Sequence, residues 1–470
     1  MPTPDTYAQV DRYIADHLRE TLDDLAQLAA IPSVSSRHEG IDEAAAMVAR
    51  LLGDAGFETR IMPTAGHPVV YADSRPAAAG PDGDASRTLL CYNHYDVQPP
   101  EPLALWDSPP FTATERGGRV YARGISDDKG QLLSRIAALR AIRAVTGALP
   151  THVKFLVEGE EEISSPSLEP FIEQHRELLA AGACVWEFGG VDHEGRPEVV
   201  LGLRGICYVE FHVRTLSRDA HSGEAHNLPN AAWRLVWALN SIKGPDERIR
   251  IPGFYDSAEP PTASDLRLLD AMPSNEEHNH QTYGVREFVG GHTGDEYKRA
   301  VYSPTANIAG FGSGWQGEGS KTVTPAEAMA KMDFRLVPGQ DPLEVLARLR
   351  RHLDDQGFAD VEVTLLGGER AATTPPDDAF VQLTARTAEE VYGTPAILKP
   401  LIGGTGPNYA FRENLGVPIV TLGCGDPESR AHSPNESISI TEFVRATRHM
   451  AHLLLAYGEA SARDASPKDA

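Results

Sequence analysis

Apolar positions recur with helical spacing over residues 5–30 and again over 41–56, where Gly56 closes the pattern. Short apolar runs follow at 68–71 and 88–92, and the intervening PAAAGPDGDAS (76–86) has the composition of a hairpin or loop tip. A helical pattern over 129–145 leads into an apolar strand at 152–157. Helices of this length alternating with short strands predict an α/β layered domain with a largely parallel central sheet.

The texture changes at Gly205. ICYVEFHVRT (206–215) and AMAKMDFRLV (328–337) alternate as strands with one exposed face. A helix over 229–243, a Pro-rich polar region around 244–300, a helix over 342–357 and a strand over 361–366 complete an α+β insert. A helix after PPDD (375–378), a strand over 417–422 and a final helix over 441–457 restore the α/β character. The expected boundaries are 1–204 for the first part of the α/β domain, 205–373 for the insert and 374–470 for the second part. The tail after about residue 459 reads as disordered.

Composition narrows the partners. A chain of 470 residues allows two to three domains, and 41% hydrophobic with 23% charged residues is ordinary for a soluble protein. The net charge of −24, from 43 basic and 67 acidic residues, argues against nucleic acid. The N-terminus lacks the apolar core of a signal peptide, and no stretch is long enough to span a membrane. Cys91, Cys184, Cys207 and Cys424 are scattered and form no CxxC. Buried free thiols in a reducing cytoplasm are the expectation.

Five segments carry the chemistry. LLCYNHYDVQP ends a strand in His94 and Asp96, which point to the same side, so one can bind a metal while the other orients it. In VYARGISDDKGQ, Asp127 and Asp128 stand where a helix begins, a position that also suits a cap. VKFLVEGEEEISS crowds Glu158, Glu160, Glu161 and Glu162 at a strand end, where like charges repel unless a cation balances them; a solvated acidic loop is the alternative. Glu187 interrupts the apolar run of ACVWEFGG, and His432 lies in GCGDPESRAHSPNE. Carboxyl ends of strands in an open α/β sheet are where ligands bind. Two histidines and three carboxylates suit Zn²⁺, Co²⁺ or Mn²⁺. Five ligands exceed the needs of one catalytic zinc but fit two ions sharing a carboxylate, the pattern of a two-metal hydrolase. His278 and His280, in a polar segment, read as solvated loop residues.

HYDVQP, RGISDDKGQ, EGEEEISS and AHSPNE, in this order, resemble the aminoacylase/carboxypeptidase-G/dipeptidase metallohydrolases, metallopeptidase family 20. GLRGICYVEFHV, RDAHSG, NIAGFGSG, KTVTP and DFRLVPGQ resemble its cytosolic nonspecific dipeptidase and carnosine dipeptidase branch, and the likeness runs from about residue 20 to 455. The resemblance implies a phosphorylase/hydrolase-like catalytic domain with two divalent metal ions per subunit, zinc foremost. It also implies an inserted lid domain through which two copies form a homodimer. Residue by residue, it implies that His94 and Glu187 hold one ion and that Glu162 and His432 hold the other. Asp127 would bridge them through a cis peptide to Asp128. Glu161 would be the general base and Asp96 the partner of His94. His221 would polarise the scissile carbonyl in the neighbouring subunit's site. Arg335, Gly404 and Thr405 would grip the substrate's terminal carboxylate. Glu158 reads as a supporting acid and Glu160 as a bystander.

The implied function is hydrolysis of dipeptides or related short peptides with a free C-terminal carboxylate, through a metal-bridging water and a Glu base. Three departures bear on it. Glu187 stands where dipeptidases usually carry Asp and acylases Glu, which keeps an N-acyl-amino-acid (acetyl or succinyl) deacylase in view. Thr405 replaces the more usual Ser, and HSGEAHNLPNAA lacks the common Gly-Gly pair and Asn-Pro order near His221. A non-catalytic binding homologue is the third reading; it should have lost a ligand or the base, and none is missing.

Overall fold

The strand Thr88–His94 is buried along its whole length, as an apolar run must be when parallel neighbours flank it and other layers cover it. Leu90 and Tyr92 pack on one face with Phe171, Ile172, Trp186 and Phe411, while the helix Lys129–Thr146 packs against the same strand. The computed structural model describes residues 3–74 and 88–464, so the turn expected at 76–86 lies outside the described residues.

This strand sits inside a six-stranded sheet, in the order Glu58–Met62, Val69–Asp73, His152–Glu158, Thr88–His94, Ala183–Trp186, Ile419–Thr421. The last four run parallel, and the first two form an antiparallel edge. The expected α/β class, with a mostly parallel sheet, is therefore present. Parallel register decides where the chemistry collects. His94 lies opposite Glu158, and Trp186 opposite Thr421, so the segments leaving these strands emerge on one edge of the sheet.

The first helical stretch is two helices, Pro4–Asp16 and Leu18–Ala29, interrupted at His17, whose ring stacks on Tyr13. The last helix runs from Ile440 to Asp464, beyond the expected end at 457 and into the tail read as disordered after about 459. Ala460, Ala462 and Arg463 are good helix formers and prolong a helix that is already anchored; residues 465–470 lie outside the described residues.

By its internal contacts the chain divides into two units, residues 1–201 with 374–400 and 410–470, and residues 202–373 with 401–409. The second contains a four-stranded antiparallel sheet in the order Thr305–Ser313, Glu327–Leu336, Gly205–Arg214, Glu362–Glu369. Its two central strands alternate buried and half-buried positions, and Ala231–Ile242 and Pro342–Asp355 pack on the buried face. The region read as polar and irregular holds three short helices, Ala263–Ala271, Glu276–Tyr283 and Gly294–Arg299. Only Leu269 among their residues is buried, so there is no apolar stripe to announce them. His278 and His280 accordingly lie on a helix, not in a loop. All four cysteines are buried and free. No helix of the described residues is long and apolar enough to cross a membrane.

Candidate metal centre

His94 ends its strand fully buried. Its Nδ1–H donates to the backbone carbonyl of Asp96 at 3.0 Å, with the Asp96 carboxylate 3.3 Å away. That bond leaves Nε2 as the ligand nitrogen. Nε2 faces Asp127 Oδ1 at 3.0 Å and Glu187 Oε2 at 3.9 Å. On the other side, His432 Nε2 lies 3.0 Å from Asp127 Oδ2 and 3.1 Å from Glu162 Oε2. Asp127 thus stands between two histidines, one oxygen toward each.

The peptide joining Asp127 to Asp128 is cis, and the helix begins at Lys129. Asp128 occupies the cap position but makes no capping bond with its side chain. Its Oδ2 instead accepts from Asn93 Nδ2 (2.6 Å) and the His94 backbone N–H (3.1 Å). Asp128 forms a trio of possible ligands with His94 and Glu187; Asp127, Glu162 and His432 form a second, with ligand atoms within 4.8 Å of one another in each. The capping alternative therefore gives way for Asp128, whose carboxylate joins the site instead.

The acidic turn is held from below. Glu161–Ile163 forms a single 3-10 turn, and both its leading amides donate to Asp96, from Glu161 at 3.2 Å and Glu162 at 3.1 Å. Gln98 Nε2 donates to Glu162 Oε2 at 2.8 Å. Glu158 accepts from Tyr92 (2.6 Å) and Ser165 (2.8 Å). Glu160 is no bystander: it is buried, and its carboxylate accepts the amides of His67 (2.9 Å) and Ser167 (3.2 Å). Arg135, also buried, donates to the carbonyls of Tyr92 (2.6 Å), Glu187 (2.7 Å) and Leu422 (3.2 Å), tying together the ends of three strands. One Arg among the three of a helical pattern offers no sequence signal for this.

Electrostatically the site calls for positive charge. Burial, then the charge of Glu161, pushes Glu187 well above the usual carboxylate range, and burial followed by Asp127 raises Glu162. Burial also raises Glu161, reinforced by Glu162, Asp127 and Asp96 against the opposing pull of His94. Hydrogen bonds to Asp127 and Glu162 lift His432 to about 10. Burial pulls His94 down, yet its bonds to Asp127 and Asp96 outweigh this and raise it. Asp127 is held low despite burial, because both histidines bond to it. The donor set suits divalent cations, with two imidazole nitrogens among carboxylate oxygens. Within the site, two buried carboxylate oxygens, Glu187 Oε2 and Asp128 Oδ1, have no hydrogen-bond partner among the described residues, and both belong to the cluster with His94, where an ion would satisfy them.

The second unit carries the remaining residues singled out by sequence. Arg335 Nη1 donates to Thr405 Oγ1 at 2.6 Å. Buried Arg204 links the same group, donating from its backbone to Gly404 O (2.9 Å) and from Nη2 to Arg335 O (2.8 Å). A Cβ on Gly404 would meet only Ile402 Cδ1 at 3.7 Å, so its carbonyl, not its missing side chain, is what the fold uses. His221 stands on a separate short ladder with Val323–Thr324, exposed, its Nδ1 accepting the Gly223 N–H at 2.9 Å.

A model of "Peptidase family M20/M25/M40" matches residues 90–456. Human Beta-Ala-His dipeptidase is 28% identical over 391 residues, covering 79% of this chain and 75% of the relative. Cysteinylglycine-S-conjugate dipeptidase of Corynebacterium striatum is 28% identical over 445 residues, 92% of each. Among solved structures, the M20 family metallo-carboxypeptidase Sso-CP2 from Sulfolobus solfataricus superposes with a TM-score of 0.88 at 36% identity, covering 94% of this chain and 99% of that one.

Proposed function

The chain belongs to peptidase family M20/M25/M40 and is a metallopeptidase, and we propose that it hydrolyses the amide bond of dipeptides and related short peptides with a free C-terminal carboxylate. The observation that carries this reading is the pair of histidine–carboxylate clusters joined at Asp127. The human and bacterial relatives, both named for dipeptides, support the substrate class.

We assign His94, Asp127 and Glu187 to one ion and Asp127, Glu162 and His432 to the other. Asp127 is preferred over Asp128 as the bridge because it faces both histidines, whereas Asp128, its Oδ2 committed to Asn93 and the His94 amide, has only Oδ1 to offer, on the side of His94 and Glu187. When bound, two divalent ions, zinc foremost and Mn²⁺ or Co²⁺ in its place, would polarise the scissile carbonyl and acidify a water. Glu161 takes the proton of that water and passes it to the leaving amine. Asp96 holds the Glu161 and Glu162 amides and so fixes where both side chains start. His221, whose Nδ1 accepts from Gly223, carries its proton on Nε2 when neutral and donates it to the developing oxyanion. Arg335, oriented by Thr405 beside Gly404, binds the substrate carboxylate.

Two copies pair through the second unit, which serves as a lid and dimerisation domain. Its support is apolar surface: Trp233 and Trp237 stack on one exposed helix face, and Ile308 and Phe311 are exposed on an edge strand. Four buried free thiols fit a cytoplasmic setting.

Glu187 supports a second reading, deacylation of N-acyl amino acids. A hydrolysis screen of Ala-Ala-type dipeptides against N-acetyl- and N-succinyl-amino acids, with Zn²⁺, Mn²⁺ or Co²⁺ supplied, separates the two. Preference for the dipeptides by kcat/KM is expected; preference for the acylated amino acids overturns the dipeptidase reading.

A further inference from the structure

Glu436 is completely buried four residues beyond His432, and all its acceptor capacity points at one loop. Its Oε2 accepts from Arg123 Nη1 (2.7 Å) and the Gly124 N–H (2.9 Å). Its Oε1 accepts from the Ser126 N–H (2.9 Å) and the Asp127 N–H (3.0 Å). Four donors occupy the roughly four lone-pair sites of a carboxylate, so Glu436 has none left for an ion. Bonds to an ionised acceptor are about twice as strong as neutral ones.

The segment on which Glu436 sits needs such holding. Arg430 (φ 53°), His432 (φ 61°) and Asn435 (φ 64°) all occupy the left-handed region without being glycine. Residues in such conformations persist when their surroundings over-determine them. Here the surroundings are the segment 105–127. Asn435 bonds to Leu105 and Asp107, Glu436 to 123–127, and Ser437 to Arg119. The loop that presents His432 and the loop that presents Asp127 are thus fastened to each other, and Glu436 is the fastening that bonds directly to the Asp127 amide.

We propose that Glu436 is a positioning residue that sets the spacing of Asp127 and His432, and thereby the affinity for the ion held by Asp127, Glu162 and His432, which depends on both, far more than for the ion that His94 and Glu187 share with Asp127. This rests on the two-ion reading above. Glu436→Gln keeps the shape but turns an NH₂ group toward two N–H donors. Glu436→Asp keeps the charge but falls one methylene short.

The test uses chelator-treated full-length protein titrated with Co²⁺, following visible absorption and the bound metal after dialysis. Wild type is expected to bind two ions per chain. In Glu436→Gln one ion should bind within about threefold of wild type and the other at least tenfold more weakly, with Glu436→Asp intermediate. A merely structural role would lower the thermal midpoint while moving both affinities together. Should Glu436→Gln not fold, Glu436→Asp decides. Two ions bound as in wild type, or both weakened equally, overturns the proposal. A wild type that never binds two ions overturns the dinuclear reading instead.

Discussion

Asp127 Oδ2 and His432 Nε2 meet at 3.0 Å, although 305 positions separate them in the chain, and the other Asp127 oxygen faces His94 at the same distance. One carboxylate shared by two sites predicts an asymmetry among ligand variants. Asp127→Asn should weaken both ions, by at least tenfold each in competition with a chromophoric chelator. Glu187→Gln should weaken one and leave the other within about threefold. Equal behaviour of the two variants would place the bridge elsewhere.

Glu161 presents an acid with no assigned ligand role beside Glu162, which faces His432. Glu161→Gln should therefore lower kcat by about 10²–10⁴-fold while bound metal stays at the wild-type level. Metal analysis and steady-state kinetics on the same preparation check this, and near-full activity would remove Glu161 from the mechanism.

Arg335 offers a planar fork, already steadied by Thr405. A lysine ammonium cannot reproduce two parallel bonds to a carboxylate. Arg335→Lys should raise KM about tenfold or more for dipeptides, with little change for their C-terminal amides. Thr405→Ala should shift KM in the same direction by less.

Acid sensitivity should have a source remote from the site. His449, in the helix Ile440–Asp464, is buried and donates to Thr384 O (3.1 Å), and burial pulls its imidazole down from 6.5 to about 4. The unfolded chain takes up the proton first. The stabilisation is therefore complete above about pH 6.5 and disappears as pH falls toward 4, a loss of roughly 3 kcal/mol in full. Thermal midpoints measured from pH 7 to 5 should fall less steeply in His449→Gln than in wild type.

What could be read from sequence followed local grammar. His94, Glu162 and Glu187 end or follow apolar strands, and parallel neighbours carry such ends to one edge; Asp127 was marked by its place before a helix, and His432 by its Gly/Ser/Pro-rich loop after the strand Ile419–Thr421. Supporting residues escaped because their partners lie far off in the chain. Nothing around Glu160 says that the His67 amide bonds to it, and the Glu436 bond to Asp127 spans 309 positions. Asp128 looked like a cap because Asp at a helix start is ordinarily one. The helices within 263–299 were illegible for a different reason: they bury little, so hydrophobic period carries no information there.

The central claim, dipeptide hydrolysis dependent on two ions, is tested most directly by reconstitution. Metal-free protein would be titrated with Zn²⁺, Mn²⁺ or Co²⁺ while hydrolysis of a dipeptide with a free carboxylate is followed. Activity should be negligible without metal and reach its plateau at two equivalents per chain. Undiminished hydrolysis by the metal-free protein, or none at any metal loading, would contradict the account.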